Sequence, residues 1–266
     1  MTVGEDASRL RIVDAAEHLL GLTAEQISMA VHGRAEAEPT RSKSFMADLI
    51  EGDYFGVDKN SRHGPDFAET GIELKVTPLH TSASGRVIRP KERLVIAMVD
   101  YDAIATHERW VDVPQLAGKL DPALIIWYDA SADDRTRHRV VWFDLWRPSR
   151  EQARLMQVEY ERIRGKVLDG ARLSGGDGTF LSTCPKHGGR FDKDDPAASS
   201  RGSLAGSHPT LEHAQRRAWQ IKPRGMTDVL SEATGLPVVT HRATGVETEA
   251  LYDLLRRSGG GDVWPA

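Results

Sequence analysis

Apolar residues recur at helical spacing near the start of the chain. Between Ser8 and His32 this spacing predicts two short helices, and Thr23 with Gln26 forms a capping-box pattern that begins the second helix. A helix pair of this kind can read DNA as a helix-turn-helix. Because the second helix is not basic, a packing hairpin is the favoured interpretation. The apolar positions assigned to the first helix are Leu10, Ile12, Val13, Ala16, Leu19 and Leu20.

The pattern then changes from helical to strand-like. Residues 36–40 predict a linker, and residues 42–54 predict a helix that ends at Gly56. The side chains expected to face inward are Phe45, Leu49 and Ile50. Alternating or continuous apolar runs predict strands at 71–78, 93–99, 123–128, 140–146 and 218–221.

A long amphipathic helix is predicted over residues 151–167, with Leu155, Val158 and Ile163 on its apolar side. Residues 174–178 and 188–207 are rich in Gly, Ser and Asp and predict turns or loops, and the tail after Arg256 is expected to fray. Together these elements predict an α/β fold with a mixed central sheet flanked by helices. No internal repeat and no clear linker divides the 266 residues, so one domain is expected.

Composition excludes several classes of protein. A chain with 39% hydrophobic and 28% charged residues is ordinary for a globular protein. No apolar run approaches the roughly 18 residues of a membrane span, and residues 1–9 lack the pattern of a signal peptide. The single cysteine, Cys184, cannot form an internal disulfide and is interpreted as a buried or idle thiol. A cytoplasmic protein without a membrane partner is expected.

Charge is unevenly distributed along the chain, although the net charge is only −4. Residues 134–166 hold nine Lys and Arg against five Asp and Glu, and residues 201–226 hold five against one, so each segment is +4. Residues 1–60 are −5. Two basic segments on an acidic chain can form a local surface that contacts phosphates, or they can be two solvated helix faces.

The most informative stretch for chemistry is residues 64–76. Asp66 precedes Glu73 by seven positions, and Lys75 follows Glu73 by two. In a strand Glu73 and Lys75 emerge on one face, and a turn over residues 67–71 can fold Asp66 back beside Glu73. Two close carboxylates can share a hard cation such as Mg²⁺.

Hydrolysis of a phosphodiester needs charge neutralisation at the phosphate and a supply of hydroxide, and a cation held by carboxylates provides both. The ammonium of Lys75 can bind the phosphate or orient the water. The alternative interpretation of Glu-x-Lys is an amphipathic strand with an ion pair on one face. The Pro65-Asp66 pair and the spacing bring the two interpretations near parity.

Ordered motifs over residues 8–232 resemble the MutH and Sau-three-A family of restriction-endonuclease-like nucleases, a branch of the PD-(D/E)XK nucleases. The resemblance is carried by Asp66-Phe-x-x-x-Gly-Ile-Glu73-Leu-Lys75 and by the helix ending in Glu51 and Tyr-Phe-Gly. Further similar segments are Lys91-Glu-Arg-Leu, Gly118-Lys119-Leu, Asp177-Gly-Thr-Phe-Leu, Pro185-Lys186 and Arg217-Ala-Trp-Gln-Ile-Lys222-Pro-Arg224-Gly.

The resemblance implies a single MutH-like endonuclease domain, with a helical subdomain at 8–56, a catalytic core with DNA-reading loops at 61–232 and a frayed tail at 257–266. It implies Mg²⁺ as cofactor, with Mn²⁺ as a substitute. The implied catalytic residues are Asp66, Glu73, Lys75, Glu51 and Lys119. The implied metal ligands are Asp66, Glu73, Glu51 and the backbone carbonyl of Leu74. The implied DNA-binding residues are Lys43, Lys186, Arg217, Lys222 and Arg224.

The expected function is therefore sequence-specific cleavage of double-stranded DNA to 5′-phosphate ends. The continuation Val76-Thr77-Pro78 is closer to the restriction enzymes, which favours a type II enzyme cutting at or near GATC. Cys184 and Met226-Thr227 depart from the pattern of the repair enzymes. A mismatch-repair nickase and a non-catalytic DNA-binding module are the alternatives. Because the chain has room for one MutH-like half, a monomer that pairs transiently on DNA is expected.

Overall fold

Two units, interleaved along the sequence, make up the computed structural model, which describes residues 3–34, 44–58, 64–186 and 216–259. The first unit takes in residues 1–92, 121–147 and 227–266, and the second takes in residues 93–120 and 148–226. Each unit is therefore built from segments that are distant in sequence. The predictions for residues 36–40, Lys43, residues 188–207 and residues 260–266 of the tail lie outside the described residues.

The predicted helical pair begins the first unit as α1 (Val3–Glu17) and α2 (Ala24–His32). Both halves of the capping box between Thr23 and Gln26 are present. Ala16 and Leu19 are fully buried, but the assignment of Leu19 and Leu20 to the first helix is wrong, because both lie in the turn after Glu17. The assignment of Leu10 to the apolar face is wrong, because its side chain is 62% exposed.

The predicted helix before Gly56 is not uniformly an α-helix. It starts as α3 (Phe45–Ala47) and continues as a π-helix over Asp48–Tyr54, with Phe45, Leu49 and Ile50 buried as expected. A π-helix is uncommon and is often found at functional sites, because its wider turn redirects side chains.

A six-stranded mixed sheet forms the centre of the first unit. Its strands are β1 (Glu73–Thr81), β2 (Val87–Pro90), β4 (Ala123–Asp129), β5 (Arg139–Trp146), β8 (Val239–Thr240) and β9 (Thr244–Glu247), in the order β5-β4-β1-β2-β9-β8. Only β1 and β4 pair in parallel. Residues 123–127 of β4 are fully buried, as expected for a strand covered on both faces. A short helical turn at Arg135–Arg137 and α8 (Thr248–Arg257) complete the unit.

The second unit is built on a separate three-stranded antiparallel sheet. Its strands are β3 (Leu94–Met98), β6 (Leu181–Pro185) and β7 (Arg217–Ile221), in the order β3-β7-β6. The expectation that the run at 93–99 joins the main sheet is therefore wrong. Its helices are α4 (Tyr101–Thr106), a turn at Trp110–Asp112, α5 (Pro114–Ala117) and α6 (Arg150–Leu168), and the chain leaves through α7 (Pro223–Thr234). Within the described ranges, every helix is too short or too polar to cross a membrane.

The buried face of α6 differs from the predicted one. Leu155 and Val158 are 38% and 45% exposed, whereas Ile163 is buried as predicted. The residues that face inward on α6 are Gln152, Met156, Glu159, Tyr160, Ile163 and Val167. Two of these six are polar, which explains why a pattern based on apolar residues misplaced the face.

Glu159 is buried because the backbone of the next segment neutralises its charge. Its carboxylate accepts hydrogen bonds from the amides of Thr179, Phe180 and Leu181 and from the Thr179 hydroxyl. Gly178 is required beside it, since a Cβ there would lie 1.8 Å from the Leu181 carbonyl oxygen. This buried carboxylate fixes the start of β6.

We expect Glu159→Ala to lower the free energy of unfolding by about 3 kcal/mol or more, because the buried amides of Phe180 and Leu181 and the partly buried amide of Thr179 lose their acceptor. Urea unfolding of both proteins measures the difference. Glu161→Ala, on the exposed side of the same helix, is the matched control and should stay within about 0.5 kcal/mol. Equal losses in the two variants would show that the amide cage contributes nothing specific.

Candidate active site

A tight turn brings Asp66 and Glu73 together. The Phe67 amide donates to the Ile72 carbonyl at 2.9 Å, and the Gly71 amide donates to the Phe67 carbonyl at 2.9 Å. Gly71 has a φ of +69°, a left-handed conformation that glycine adopts without strain. The predicted fold-back over residues 67–71 is confirmed.

Asp66 and Glu73 then hold each other through the backbone. The Asp66 amide donates to Oε2 of Glu73 at 3.2 Å, and the Leu74 amide donates to Oδ2 of Asp66 at 3.0 Å. The position of each carboxylate thus depends on the segment that carries the other. The two side chains are fixed before any ligand binds.

Strand alternation places Lys75 on the same side as Glu73. Ile72 and Leu74 are buried on one face of β1, and the Nζ of Lys75 forms an ion pair with Oε1 of Glu73 on the other. Glu73 is only 1% exposed, and a buried carboxylate is stable only with such partners. The ion pair of the alternative interpretation is therefore present. The active-site interpretation stays a prediction for the same residues.

The π-helix brings a third carboxylate to β1. Glu51 accepts a hydrogen bond from the Val76 amide, and burial raises the pKa of its carboxyl to about 7. The charge of Lys75 lowers this pKa, while those of Asp66 and Asp48 raise it further. Glu51 is therefore within electrostatic reach of both Asp66 and Lys75.

The chemistry of this donor set fits a hard divalent cation. Carboxylate oxygens are the ligands such ions prefer, and a carboxyl whose pKa burial has raised gains most from a neighbouring positive charge. The N–H and C=O of a strand residue point the same way, so the Leu74 carbonyl is directed to the side of Asp66. Among the described residues no three Asp, Glu, His or Cys side chains are yet grouped around one point. A site with three carboxylate ligands would therefore require Glu51 to move toward Asp66 and Glu73.

The remaining predicted site residues belong to the second unit. Lys119 follows α5 and is half-buried. Lys186 follows β6 and is exposed, and its amide pairs with the Arg216 carbonyl at 3.0 Å. Lys222 and Arg224 follow β7, at the opposite end of the three-stranded sheet from Lys186. Those predicted DNA-binding residues that the structure describes are therefore not gathered into one cluster.

Arg217 has a different environment from the one predicted. It is 5% exposed, and its guanidinium donates to the Thr183 hydroxyl at 2.7 Å and to the Thr183 carbonyl at 3.1 Å. Burial lowers the pKa of Arg217. These contacts favour a packing role between β6 and β7 over a DNA contact in this conformation. Cys184 is a buried free thiol, as predicted.

Sequence reasoning missed the contacts that hold the site from outside. The rings of Phe55 and Phe67 meet edge to face with centroids 5.7 Å apart, and Arg9 bonds to the Thr70 carbonyl. Arg9 and Thr70 are 61 positions apart, and no local pattern in the sequence marks such a pair.

A mixed sheet with two carboxylates and a lysine at the start of one strand is consistent with a nuclease-like α/β fold, and the comparisons point to the same family. Residues 55–159 match the family model described as DNA mismatch repair enzyme MutH. This range includes Asp66, Glu73, Lys75 and Lys119 but not Glu51. Residues 55–159 are thus similar to the MutH family, which confirms the resemblance seen in the sequence.

Individual relatives extend the similarity beyond that range. The chain is 26% identical to the type II restriction enzyme Sau3AI of Staphylococcus aureus over 196 residues, which are 71% of this chain and 37% of that enzyme. It is 25% identical to the DNA mismatch repair protein MutH of Shewanella woodyi over 230 residues, 85% of this chain and 92% of that protein. For MutH of Yersinia enterocolitica the identity is 25% over 181 residues, 66% of this chain and 75% of that protein. The aligned region thus spans little more than a third of the restriction enzyme.

We expect Glu51→Gln to stabilise the cation-free protein at pH 8 but not at pH 4. The pKa of the Glu51 carboxyl is higher in the folded protein than in the unfolded chain, so the unfolded chain loses the carboxyl proton at a lower pH. Ionisation of Glu51 therefore lowers the free energy of unfolding as the pH rises from 4.5 to about 7. Glutamine keeps an acceptor for the Val76 amide without a charge. The gain at pH 8 should be about 3 kcal/mol, since the pKa rises from 4.5 to about 7 on folding and one pKa unit corresponds to about 1.4 kcal/mol.

Chemical unfolding at both pH values in a chelator measures this difference. Glu69→Gln, at an exposed position of the turn after Asp66, serves as the control and should show no such pH-dependent gain. A gain of equal size at pH 4 and pH 8 would exclude ionisation of Glu51 as its cause.

Proposed function

We propose that the chain is a MutH-family DNA endonuclease that hydrolyses phosphodiester bonds to 5′-phosphate ends with a divalent cation, Mg²⁺ or Mn²⁺. The proposal rests on one observation: Asp66, Glu73 and Lys75 interlock at the start of β1 inside the region that matches the family. A substrate of cellular DNA implies a cytoplasmic location.

The chemistry is divided among the residues of this site. Asp66, Glu73, Glu51 and the Leu74 carbonyl would hold the cation, which supplies charge neutralisation at the phosphate and makes water more acidic. Lys75 pairs with Glu73 and is a donor for a phosphate oxygen or an attacking water. Its ion pair with Glu73 orients the ammonium before DNA binds. Lys119 is proposed as a further cation for the substrate phosphate.

The finer proposal is a type II restriction enzyme acting at or near GATC. The match to Sau3AI and the continuation of β1 after Lys75 support it. A mismatch-repair nickase is the second candidate, because the alignment spans 92% of the Shewanella woodyi MutH against 37% of the restriction enzyme. The two candidates share the chemistry and differ in whether other proteins are needed.

A non-catalytic DNA-binding module is the competing proposal from another class. Such a protein has no need for a buried glutamate beside a lysine, an arrangement that is costly to bury. The packing of α1 and α2 also leaves their hairpin a structural role. Loss of intact DNA that depends on metal would exclude this alternative.

For assembly we propose a monomer in free solution that pairs on DNA as a transient symmetric dimer, or that nicks twice in succession. A palindromic target presents two equivalent phosphodiesters related by a two-fold axis, whereas the chain carries one candidate site.

We expect Asp66→Ala and Glu73→Ala to abolish cleavage while leaving DNA binding largely intact, and Lys75→Ala to be nearly as damaging. A plasmid cleavage assay and a binding assay in Ca²⁺ measure the two properties. Glu69→Ala removes an exposed acid from the same turn and should cut normally. Activity above about a tenth of wild type in either carboxylate variant, a loss below about 1.4 kcal/mol, would remove that residue from the metal site.

Cleavage of supercoiled plasmid with mapped GATC sites by the purified chain alone separates the two functions. Restriction activity predicts robust double-strand cuts at these sites, whereas a nickase predicts slow nicking that repair proteins stimulate.

Dimer cutting should rise more steeply than linearly with enzyme concentration, and sequential nicking should accumulate open circles first. A stable dimer without DNA in light scattering would contradict the assembly proposal.

We expect Lys186→Ala and Arg224→Ala to weaken DNA binding, because both side chains are exposed cations of the second unit. Arg224→Ala should act uniformly across sequences and lower the slope of log K against log salt by about one, whereas Lys186→Ala should also change site preference. Titrations at several salt concentrations on cognate and unrelated duplexes provide the measurement. Unchanged slopes would make both residues ordinary surface charges.

A further inference from the structure

The turn that carries Asp66 is held by a residue of α1. The guanidinium of Arg9 donates from Nη2 to the Thr70 carbonyl at 2.9 Å and from Nε to the same oxygen at 3.3 Å. Thr70 is 4% exposed and Arg9 is half-buried, so water is largely excluded from this contact. Hydrogen bonds from a charged donor in such an environment are among the stronger ones in proteins.

The same helix also holds the segment that carries Glu51. The hydroxyl of Tyr54, three residues after Glu51 in the π-helix, donates to the Ala15 carbonyl of α1 at 2.8 Å. Arg9 and Ala15 are six residues apart on one helix, or about 9 Å along its axis. Helix α1 is therefore a rigid spacer between the Asp66 turn and the Glu51 helix.

Direct contact between the two segments completes the arrangement. The Phe55–Phe67 ring contact joins the residue after Tyr54 to the residue after Asp66. Three segments that are separate in sequence are thus tied in a closed triangle, with the carboxylates of Glu51 and Asp66 on two of them. The third segment, α1, contributes no carboxylate to the site and affects it through position alone.

We propose that Arg9 is a positioning residue of the metal site, which sets the separation between Glu51 and the Asp66–Glu73 pair through the Thr70 carbonyl. The inference rests on the proposed nuclease function and adds a residue from outside the region that matches the family. Its consequence is specific: loss of Arg9 weakens cation binding, whereas the groups that contact DNA and the attacking water stay in place.

The test compares Arg9→Ala and Arg9→Lys with wild type, with Arg11→Ala as the matched control. Arg11 lies on the same helix, is exposed and donates to the Ser8 hydroxyl at 3.3 Å. Three measurements are made on the full chain: the increase in melting temperature with Mn²⁺ in the absence of DNA, the Mg²⁺ concentration for half-maximal plasmid cleavage, and DNA affinity in Ca²⁺ across salt concentrations.

For Arg9→Ala we expect the Mn²⁺ needed for a given thermal stabilisation and the Mg²⁺ midpoint both to rise about tenfold, the size seen when a partner of a metal ligand is removed. Cleavage at saturating Mg²⁺ should return to within about twofold of wild type, and the salt slope should not change. Arg9→Lys retains a donor and the charge and should fall between the two. Arg11→Ala should match wild type.

Unchanged metal midpoints in Arg9→Ala, or a lower DNA affinity with a smaller salt slope, would overturn the proposal and make Arg9 a packing residue or a phosphate contact. If Arg9→Ala does not fold, the Mn²⁺ and Mg²⁺ midpoints of Arg9→Lys test the proposal instead. A wild-type chain that neither cuts DNA nor gains stability from Mn²⁺ would instead refute the proposed nuclease function, so the two failures are distinguishable.

Discussion

The reciprocal bonding of Asp66 and Glu73 is the constraint on which the candidate site depends. Each carboxylate accepts an amide from the segment that carries the other, so neither can shift without opening the turn at residues 67–71. The turn closes only because Gly71 adopts a left-handed conformation. Two negative charges that would repel in an open chain are held side by side by backbone dipoles and by Lys75.

That arrangement costs stability, and the neighbouring structure compensates for the cost. A glutamate that is 1% exposed and a second carboxyl whose pKa is raised by burial are unfavourable in a protein that needs only to fold. Three features hold the segments that carry these groups in place: the π-helix, the aromatic contact between Phe55 and Phe67, and the hydrogen bond from Tyr54 to α1. Preorganised charge of this kind is typical of sites that stabilise a transition state.

Buried carboxylates serve a different purpose in the second unit. Glu159 is enclosed by three backbone amides and a hydroxyl, a complete set of partners that leaves no role for a ligand. Asp177 is likewise bound by Lys166 and Ser174, which lower the pKa of its carboxyl although burial opposes them. The units differ in how the carboxylates are satisfied: Glu159 and Asp177 each have a separate set of partners, whereas Asp66 and Glu73 each accept an amide from the segment that carries the other.

The sequence by itself determined the elements whose pattern is local. Strand alternation at residues 72–76, the capping box at Thr23, the buried run of β4 and the turn at Gly71 all follow from neighbouring residues, and with them the pairing of Asp66, Glu73 and Lys75. Local patterns also misled where polar groups are buried. Gln152 and Glu159 face inward on α6, while Leu155 and Val158 do not.

Only the tertiary structure decided which distant segments meet. It separated the run at 93–99 into a second sheet, added β2 and β6, buried Arg217 against Thr183 and placed Arg9 on the Thr70 carbonyl. These outcomes depend on long-range packing and on which groups pair with the buried charges. Both are decided by free-energy differences between whole folds. The spacing of apolar residues within one segment predicts the secondary structure of that segment, but the partner that neutralises a buried group can come from any part of the chain.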